Sequence, residues 1–305
     1  TDNLVEYPCL PASINQTQVD YIVKVEEIGN PKGIVSGAIK STKNPKDILI
    51  AENAVKAIVA SGYFKNGFSY QTGAAGASLA VTELLKEKMV EENIKGSFGL
   101  GGITSQLVQL LEEGLLEGLF DTQCFDLDAV NSLGKNQKHF EIDASFYSNP
   151  HNSGCAVNKL DIVMLGALEI DTDFNVNVIS GSDGIISQAV GGHPDTAAGS
   201  KMSVILAPLI RGRIPIIVDN VTTVVTPGET IDVVVTDYGI AVNPNREDLI
   251  EKFKAANLKL YTINELQKIA ESITGKPDKI EFGDRIVGIV QYRDGTIIDV
   301  IRQVI

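Results

Sequence analysis

Strand-like and helix-like segments alternate along most of this chain, and that alternation limits the possible folds more than any other feature. Residues 67–70 form a short strand pattern that enters a Gly/Ala-rich turn at 72–76, and a helical apolar pattern follows. Residues 96–99 form a second strand pattern, which enters the turn LGG at 100–102 and then another helix. Tandem strand–turn–helix units are typical of a parallel sheet that carries helices on its faces.

Later segments extend this pattern. Apolar runs typical of strands buried on both faces occur at 162–165, 204–206, 214–218 and 231–235. Further elements are predicted as helices at 47–61, 246–256 and 263–274, an exposed strand at 19–26 and a closing hairpin around 292–296. We therefore predict an α/β fold with a largely parallel, twisted sheet and helices on both of its faces.

Charge and aromatic content exclude two classes of partner. The 305 residues can bury a sizeable core, and 26 Lys+Arg against 39 Asp+Glu give a formal net charge of −13. An acidic chain with 8 Tyr, 10 Phe and no Trp lacks the cationic and stacking surfaces that nucleic-acid binding needs. No apolar run approaches the roughly 20 residues of a membrane span. We expect neither nucleic acid nor a membrane as a partner.

Cysteine usage and the start of the chain bear on its compartment. The three cysteines, Cys9, Cys124 and Cys155, lack the paired spacing of a zinc or redox site, so a reducing cytoplasm is the expected setting. The first residues lack the cationic start of a signal peptide. There is no initiating Met, which is expected of a chain that was processed or that begins partway through a longer protein.

The two glycine-rich turns are the first candidates for chemistry. Between a strand and a helix, glycines direct backbone N–H groups at whatever occupies the carboxyl end of the strand. Such groups could bind an oxyanion or a phosphate, and close packing of helix on strand is an alternative of equal weight. Thr104 stands where the dinucleotide fingerprint needs Gly, and neither turn has the Lys of a P-loop. Nicotinamide and nucleoside triphosphate chemistry are not expected.

Other reactive residue types give weaker signals. Ser78 in the run GASLA resembles a nucleophile elbow but stands too far into its turn. The acid pairs Asp126/Asp128 and Asp171/Asp173 could be written as metal ligands. Asp is common at turns and helix starts, which explains them better, so no metal is expected.

Histidines and local cations complete the set of candidates. We expect His139, in a Lys/Gln-rich stretch, to be solvated, and His151 and His193 to lie in turns. The cations that flank a strong strand could capture an anionic substrate, although solvated strand ends are the more common role. These cations are Lys201, Arg211 and Arg213.

Several of these motifs together resemble the CoA-transferase family. They are, in chain order, FGLGGI at 98–103, MLGALEID at 164–171, GGHPD at 191–195 and VTDYGIA at 235–241. The run FSYQTGAAGAS at 68–78 makes the resemblance closer, to the alpha-subunit family of bacterial citrate lyase. The resemblance implies a CoA-transferase-type domain at 46–305. It also implies that residues 1–45 are the end of an upstream domain and a connecting segment, so that the chain resembles the C-terminal half of the family.

The resemblance also implies a reaction. A citrate CoA-transferase exchanges acetyl for citryl on the thiol of a CoA-derived prosthetic group, which an acyl carrier (gamma) subunit bears, and releases acetate. A separate lyase (beta) subunit then cleaves the citryl thioester. Citrate, acetate and these two subunits are thus the implied partners in an oligomeric complex, and no cofactor is expected to be bound by this chain itself.

Many CoA-transferases use a Glu nucleophile shortly after the glycine-rich turn, and the resemblance places Gln123 at that position. An amide cannot attack a thioester. The departure implies that citrate's own carboxylate attacks and forms a mixed acetyl–citryl anhydride, with Asp121 or Asp126 left open as the true counterpart of the Glu. The N–H groups of Gly101 and Gly102 are then expected to stabilise the oxyanion.

Two groups of residues are expected to bind the substrates. The turn Gln71, Thr72, Gly73 and Ala74 is assigned to the pantetheine arm or to substrate carboxylates. Citrate's remaining carboxylates need cations, because a multiply charged ligand is costly to desolvate. For these we nominate Lys201 and Arg211, with His193 close to them in sequence. A thioester hydrolase of the same fold and a non-catalytic scaffold half of the lyase complex remain as alternative functions.

Overall fold

The computed structural model describes residues 16–29, 42–74, 76–181 and 184–305. Its strands are β1 (Phe68–Gln71), β2 (Gly96–Ile103), β3 (Leu116–Cys124), β4 (His139–Glu141), β5 (Ile162–Gly166), β6 (Glu169–Asp171), β7 (Val176–Asn177), β8 (Met202–Leu206), β9 (Ile210–Arg211), β10 (Ile214–Pro215), β11 (Ile217–Val218), β12 (Val233–Val235), β13 (Ile240–Val242), β14 (Leu260–Tyr261), β15 (Phe282–Gln291) and β16 (Ile297–Val304). Its α-helices are α1 (Pro45–Ala60), α2 (Gly76–Glu91), α3 (Ser105–Glu112), α4 (Leu127–Leu133), α5 (Ala144–Ser148), α6 (His193–Gly199), α7 (Glu247–Ala255) and α8 (Ile263–Thr274).

A nine-stranded sheet, in the order β14-β13-β12-β8-β5-β1-β2-β3-β4, organises the described residues. Every neighbouring pair in it is parallel except β12 and β13, which confirms the predicted largely parallel sheet. From β1 the chain adds β2, β3 and β4 on one side, and then crosses to β5, β8 and β12 on the other. The order therefore reverses between β1 and β5, and in open parallel sheets ligands bind in the crevice at the carboxyl ends of such strands.

Side chains that alternate along the central strands feed two hydrophobic cores, one on each face of the sheet. Ile162 and Met164 of β5 belong to one core, together with buried residues of α1, α2, α3 and α7. Val163 and Leu165 belong to the other, together with residues of α6 and α8. The sheet is covered on both faces, which explains why its strands are near-continuous apolar runs.

Most of the predicted elements are confirmed, and three are corrected. Residues 19–26 form no strand, since alternation alone cannot make one without a partner strand, and none pairs with them in the described chain. The run 214–218 divides into β10 and β11, which pair in different small sheets. Pro215 has no N–H for a continuous ladder. The glycines at 101–102 lie inside β2, and the turn into α3 comes at Thr104.

Strands β15 and β16 form the predicted hairpin as a separate two-stranded antiparallel sheet. Gly295 in its turn has a φ of +92°, a left-handed conformation that favours glycine. Arg293, in the same turn, reaches back to the main body and donates from Nη2 to the carbonyl oxygen of Ser148 at 3.1 Å. The hairpin is thereby connected to α5.

Helix α1 begins at Pro45, next to the predicted domain start at 46. Most of the segment 1–45 that is predicted as a connection lies outside the described residues, so this division stays a prediction. Helices in the described ranges are too short or too polar to cross a bilayer.

Candidate functional site

Strands β1 and β5 end beside each other at the point where the strand order reverses. Gln71 is the last residue of β1 and Gly166 the last residue of β5. Contacts between the segments around these two strand ends bring Gln71, Gly101, Tyr147 and His193 close together, and we call this region the crevice. This crevice is the candidate functional site.

Gln71 is 8% exposed, and its side-chain amide is fixed at one end. Nε2 donates a hydrogen bond to Oη of Tyr147 at 2.8 Å. Oε1 is buried, and no atom of the described residues bonds to it. Buried polar atoms in folded proteins are almost always hydrogen-bonded, so an oxygen without a partner at the carboxyl end of β1 indicates a place for a ligand.

Gly101 and Gly102 form an irregularity in β2, where the register with β3 shifts between them. Gly101 has a φ of +97°, and a Cβ added to it would lie 2.8 Å from Cδ of Gln71. A Cβ on Gly102 would lie 2.0 Å from Cε2 of Phe125. Glycine is therefore required at both positions, because side chains from neighbouring segments occupy the space. The oxyanion role of their N–H groups stays a prediction.

Tyr147 lies on α5 and was missed by the sequence analysis, since nothing in its local sequence marks it. A Cβ added to Gly192 would lie 2.7 Å from Oη of Tyr147, so this glycine leaves room for the phenol. Burial raises the pKa of Tyr147 to about 12. The phenol therefore stays neutral and can act as a hydrogen-bonding anchor for Gln71 at neutral pH.

His193 is the first residue of α6 and does not lie in a turn as predicted. Nε2 contacts the carbonyl oxygen of Gly166 at 2.9 Å, and Nδ1 contacts Oγ1 of Thr226 at 2.6 Å. Burial lowers the pKa of His193 to about 4, so the ring is neutral. A carbonyl can only accept, so Nε2 carries the proton and Nδ1 accepts from the hydroxyl. Both ring nitrogens are bonded to other residues of the protein, and the expectation that His193 binds citrate stays a prediction.

The two nominated cations lie at opposite edges of the sheet. Arg211 donates from Nη2 to the carbonyl oxygen of Ala167 at 3.0 Å, just beyond the carboxyl end of β5. Lys201 precedes β8 at the amino edge, where Nζ lies 2.7 Å from Oδ1 of Asp161. About five residues of strand, or roughly 16 Å, separate that level from Gly166. The structure keeps Arg211 near the crevice and removes Lys201 from it.

The turn after β1 packs against the start of α2. Thr72 is buried, and its hydroxyl is a hydrogen-bond donor to two carbonyl oxygens. Oγ1 lies 3.2 Å from that of Gly73 and 3.4 Å from that of Ser78. Ser78 itself is buried inside α2, consistent with its poor fit to a nucleophile elbow. Ala74 is exposed at the surface of the turn. A role for Thr72, Gly73 and Ala74 in binding a substrate stays a prediction.

Gln123 pairs with Gly102 in the register between β3 and β2, and its side chain is exposed. Both carboxylates that were left open as alternatives are occupied by protein donors. Asp121 accepts from the backbone N of Gln123 at 2.7 Å and from Sγ of Cys124 at 2.9 Å. Asp126 accepts from the backbone N of Ser105 at 2.7 Å and of Ala129 at 2.9 Å, so it caps α4. All four carboxylate oxygens therefore have partners within the protein.

His139 is buried, which corrects the prediction that it is solvated. Its Nε2 lies 3.1 Å from Oδ2 of Asp121, and its Nδ1 lies 3.0 Å from Oγ of Ser132. Chiefly through burial, and also through the bond to Asp121, the pKa of the Cys124 thiol is raised above its usual range. A thiol held protonated is a poor nucleophile, so this cluster is structural.

Three buried side-chain atoms in the described residues have no hydrogen-bond partner: Oε1 of Gln71, Oγ1 of Thr104 and Nε of Arg293. Gln71 and Thr104 stand at the carboxyl ends of the adjacent strands β1 and β2. Arg293 lies beside Ser148, with Nε 3.4 Å from Oδ1 of Asp195 on α6. Two of the three atoms therefore lie at the carboxyl ends of β1 and β2, and the third faces the carboxylate of Asp195. No group of three or more His, Cys, Asp or Glu in the described ranges is placed to hold a metal ion.

The sequence of this chain is similar to those of known proteins. The family described as citrate lyase, alpha subunit (CitF) matches residues 1–304. The curated citrate lyase alpha chains of Klebsiella pneumoniae and Haemophilus influenzae are 56% and 54% identical to it over 304 residues. These matches cover 100% of this chain, and 60% and 61% of the two relatives. The chain therefore spans about three fifths of their length.

Solved structures of other proteins superpose on this chain. A crystal structure of the putative alpha subunit of citrate lyase from Streptococcus mutans, in complex with citrate, superposes with a TM-score of 0.93 at 55% identity. The superposition covers 100% of this chain and 60% of that one. RipA from Yersinia pestis superposes with a TM-score of 0.55 at 17% identity, over 78% of this chain and 55% of that one. The second likeness concerns the fold alone.

Proposed function

Because this chain belongs to the citrate lyase alpha-subunit family, we propose that it carries part of a citrate CoA-transferase site. The proposed reaction exchanges acetyl for citryl on the thiol of the CoA-derived prosthetic group of an acyl carrier subunit and releases acetate. A lyase subunit is the proposed consumer of the citryl thioester. Family membership supports the identity of the substrate, and the residues of the crevice between β1 and β5 support the proposed chemistry.

One observation carries the chemical part of the proposal. Where other CoA-transferases are expected to have a nucleophilic Glu, this chain has Gln123, the second-last residue of β3, and the nearby Asp121 and Asp126 are bonded to protein donors. No carboxylate at the described end of β3 is therefore free to attack a thioester. The proposed source of the attacking carboxylate is the acceptor acid itself.

The proposed sequence has two steps. A carboxylate oxygen of citrate forms a bond to the acetyl carbon, and the C–S bond breaks to give an acetyl–citryl anhydride and the carrier thiolate. The thiolate then attacks the citryl carbonyl of the anhydride, and acetate leaves. Thioester exchange is near energetic neutrality, so the protein has to lower the barrier. It does so by holding the reactants together and by stabilising the oxyanion of each step.

The residues of the crevice have distinct proposed roles. The N–H groups of Gly101 and Gly102 stabilise the oxyanion, and Arg211 binds a citrate carboxylate from its position at Ala167. The turn at 72–74 borders the path of the pantetheine arm. Arg293, which was not found from the sequence, is a second cation at the crevice and is 13% exposed in its side chain.

The test is a transfer assay with acetylated carrier protein, with and without citrate, on the chain alone and on a form with the full length of its relatives. The proposal expects citryl-carrier and free acetate only when citrate is present, and no acyl-enzyme that hydroxylamine or borohydride can trap. A trapped adduct at Asp121 or Asp126 would contradict the anhydride route. Acetate release without citrate would indicate a hydrolase, and carrier binding without transfer would indicate a scaffold.

A further inference from the structure

We propose that Gln71, held in place by Tyr147, is a specificity-determining residue whose amide oxygen accepts a hydrogen bond from a neutral donor group of the ligand. The inference rests on the proposed function for the identity of the ligand. Two sources supply such a donor: the tertiary hydroxyl of citrate and the amide N–H groups of a pantetheine arm. Both present the same chemistry to Oε1.

The first argument is the state of the amide itself. Nε2 of Gln71 is engaged by Tyr147 at 2.8 Å, while Oε1 is buried and bonded to nothing in the described part of the chain. A buried carbonyl oxygen without a donor loses its hydration and gains nothing in exchange. A bound ligand can supply the donor that the described residues lack.

The second argument concerns which ligand groups are excluded. A carboxylate offers only acceptor oxygens, and two acceptors cannot share a hydrogen bond. Oε1 of Gln71 would repel a citrate carboxylate placed against it. With Nε2 engaged by Tyr147, hydroxyl and amide donors are the proposed partners of Oε1, and the expectation that Gln71 binds substrate carboxylates stays a prediction.

The third argument is that the surrounding backbone leaves space for this pair of side chains. A Cβ on Gly101 would lie 2.8 to 3.1 Å from the three terminal atoms of the Gln71 amide. A Cβ on Gly192 would lie 2.7 Å from the phenol oxygen of Tyr147. Two glycines on separate segments each make room for one member of a hydrogen-bonded pair. Any larger residue at either place would move the amide oxygen.

Tyr147 acts through Gln71 and is thus a positioning residue. Its ring packs against the core on the α6 and α8 face of the sheet, and its phenol reaches the end of β1. Anchoring Nε2 fixes the rotation of the amide, and so fixes the direction in which Oε1 points. Loss of the phenol leaves the amide free to turn, which weakens recognition without removing the acceptor.

Calorimetric titration of the purified full chain tests the hydroxyl source. The ligands are citrate and propane-1,2,3-tricarboxylate, which differs from citrate only in lacking the hydroxyl. Wild type is expected to prefer citrate by roughly 10- to 100-fold, the size of one buried hydrogen bond. Gln71→Met, which keeps the side-chain length but has no amide, is expected to bind the two acids alike. The matched control is Gln267→Met, since Gln267 is also buried and donates to Asp219 at 2.8 Å elsewhere in the fold.

A second titration tests the amide source with acetylpantetheine and ethyl thioacetate, which lacks amide groups. If Gln71→Met abolishes a preference in this pair and not in the first, the donor belongs to the arm. If it changes neither preference, or if wild type binds none of these ligands, the inference is overturned. Thermal unfolding confirms that each variant is folded.

The role of Tyr147 has its own readout. Tyr147→Phe is expected to lower the same ligand preference several-fold and to leave the binding of the analogue that lacks the donor unchanged. Tyr63→Phe is the control, because its phenol accepts from Nη2 of Arg246 at 3.2 Å, a partner unrelated to Gln71. An undiminished preference in Tyr147→Phe would remove its positioning role. Because these are binding measurements, they can fail while acyl transfer succeeds, and the reverse also holds.

Discussion

Polar groups at the amino ends of the central parallel strands are bonded differently from those at the carboxyl ends. We call these two ends of the sheet the amino edge and the carboxyl edge. At the amino edge, Ser69 and Asp161 bond each other reciprocally: the backbone N of Ser69 donates to Oδ2 of Asp161 at 2.9 Å, and the backbone N of Asp161 donates to Oγ of Ser69 at 2.9 Å. Ser203 and Asp232 repeat this arrangement at 2.7 and 2.9 Å between β8 and β12. We call these the two Ser–Asp pairs.

Each Ser–Asp pair also has a cation. Lys201 lies 2.7 Å from Asp161, and Nη1 of Arg246 lies 2.7 Å from Oδ1 of Asp232. At the carboxyl edge, in contrast, Oε1 of Gln71 and Oγ1 of Thr104 are buried without a hydrogen-bond partner in the described residues. Polar groups that are fully hydrogen-bonded at the amino edge stabilise the fold, and buried polar atoms without a partner at the carboxyl edge are available to a ligand. Changes at the two edges should therefore affect different measurements.

The largest expected effect is on catalysis at the carboxyl edge. Gly101→Val places a side chain on the Gln71 amide and strains a backbone with a φ of +97°. Loss of one oxyanion donor costs on the order of 10² to 10³ in rate, so transfer by the full-length form should fall by that factor. Gly114→Val is the control, since Gly114 has a φ of +70° but open space around it. Equal loss of transfer in both variants would contradict the role of the β2 irregularity.

The next effect is on stability at the amino edge. Asp232→Ala leaves the buried N–H of Ser203 and the guanidinium of Arg246 without this acceptor, and should lower the free energy of unfolding by about 2 to 3 kcal/mol. Asp248→Ala removes the exposed partner of the same Arg246 and should cost under about 1 kcal/mol. Urea denaturation measures both. A drop in ligand binding by Asp232→Ala with unchanged stability would reverse the assignment of the two edges.

A third prediction concerns acid sensitivity at the carboxyl edge. The folded-state pKa of His193 is lowered to about 4 by burial, from 6.5 in the unfolded chain. The unfolded state therefore binds the proton more readily, so the contribution is fully present above pH 6.5 and is lost as the pH falls towards 4. Between pH 7 and pH 5 the free energy of unfolding should decrease by about 2 kcal/mol from this group. His193→Gln should remove that slope, and replacement of the exposed His151 by Gln should keep it. An unchanged slope in His193→Gln would contradict this prediction.

The smallest effect belongs to Lys201. Its side chain is 57% exposed, and exposed ion pairs contribute about 0 to 1 kcal/mol. Lys201→Ala should therefore change stability slightly and leave citrate binding unchanged by calorimetry. Reduced citrate binding in this variant would return Lys201 to the site. It would also show that the two edges are coupled.

Periodicity predicted the fold well because the buried parallel strands and their helices are each marked by local sequence. Helix α8 was predicted with its observed bounds, and β5 to within one residue. The run at 19–26 failed because the alternating pattern carries no information on whether a partner strand exists. The prediction of a single strand at 214–218 was wrong, because tertiary contacts divide this apolar run between two small sheets.

The site was only partly accessible from sequence. Gln71 and Gly101 were found because they lie in runs that resemble a known family. Tyr147 and Arg293 were missed because their role depends on contacts between segments far apart in the chain. His193 lies near the candidate site, but its neutral state follows from burial, and its tautomer from the carbonyl oxygen of Gly166, which a linear pattern does not reveal.

The spacing of the crevice residues along the chain has a consequence for biosynthesis. Gln71 and Tyr147 are translated well before Arg293, whose guanidinium connects the hairpin turn to Ser148 on α5 and approaches Asp195 on α6. A ribosome that has added the strands of the main sheet has therefore not yet supplied this bridge. The nascent protein has all nine strands of the main sheet before this bridge, so a premature stop codon upstream of residue 293 should yield a product that contains those strands and lacks the bridge from Arg293 to Ser148.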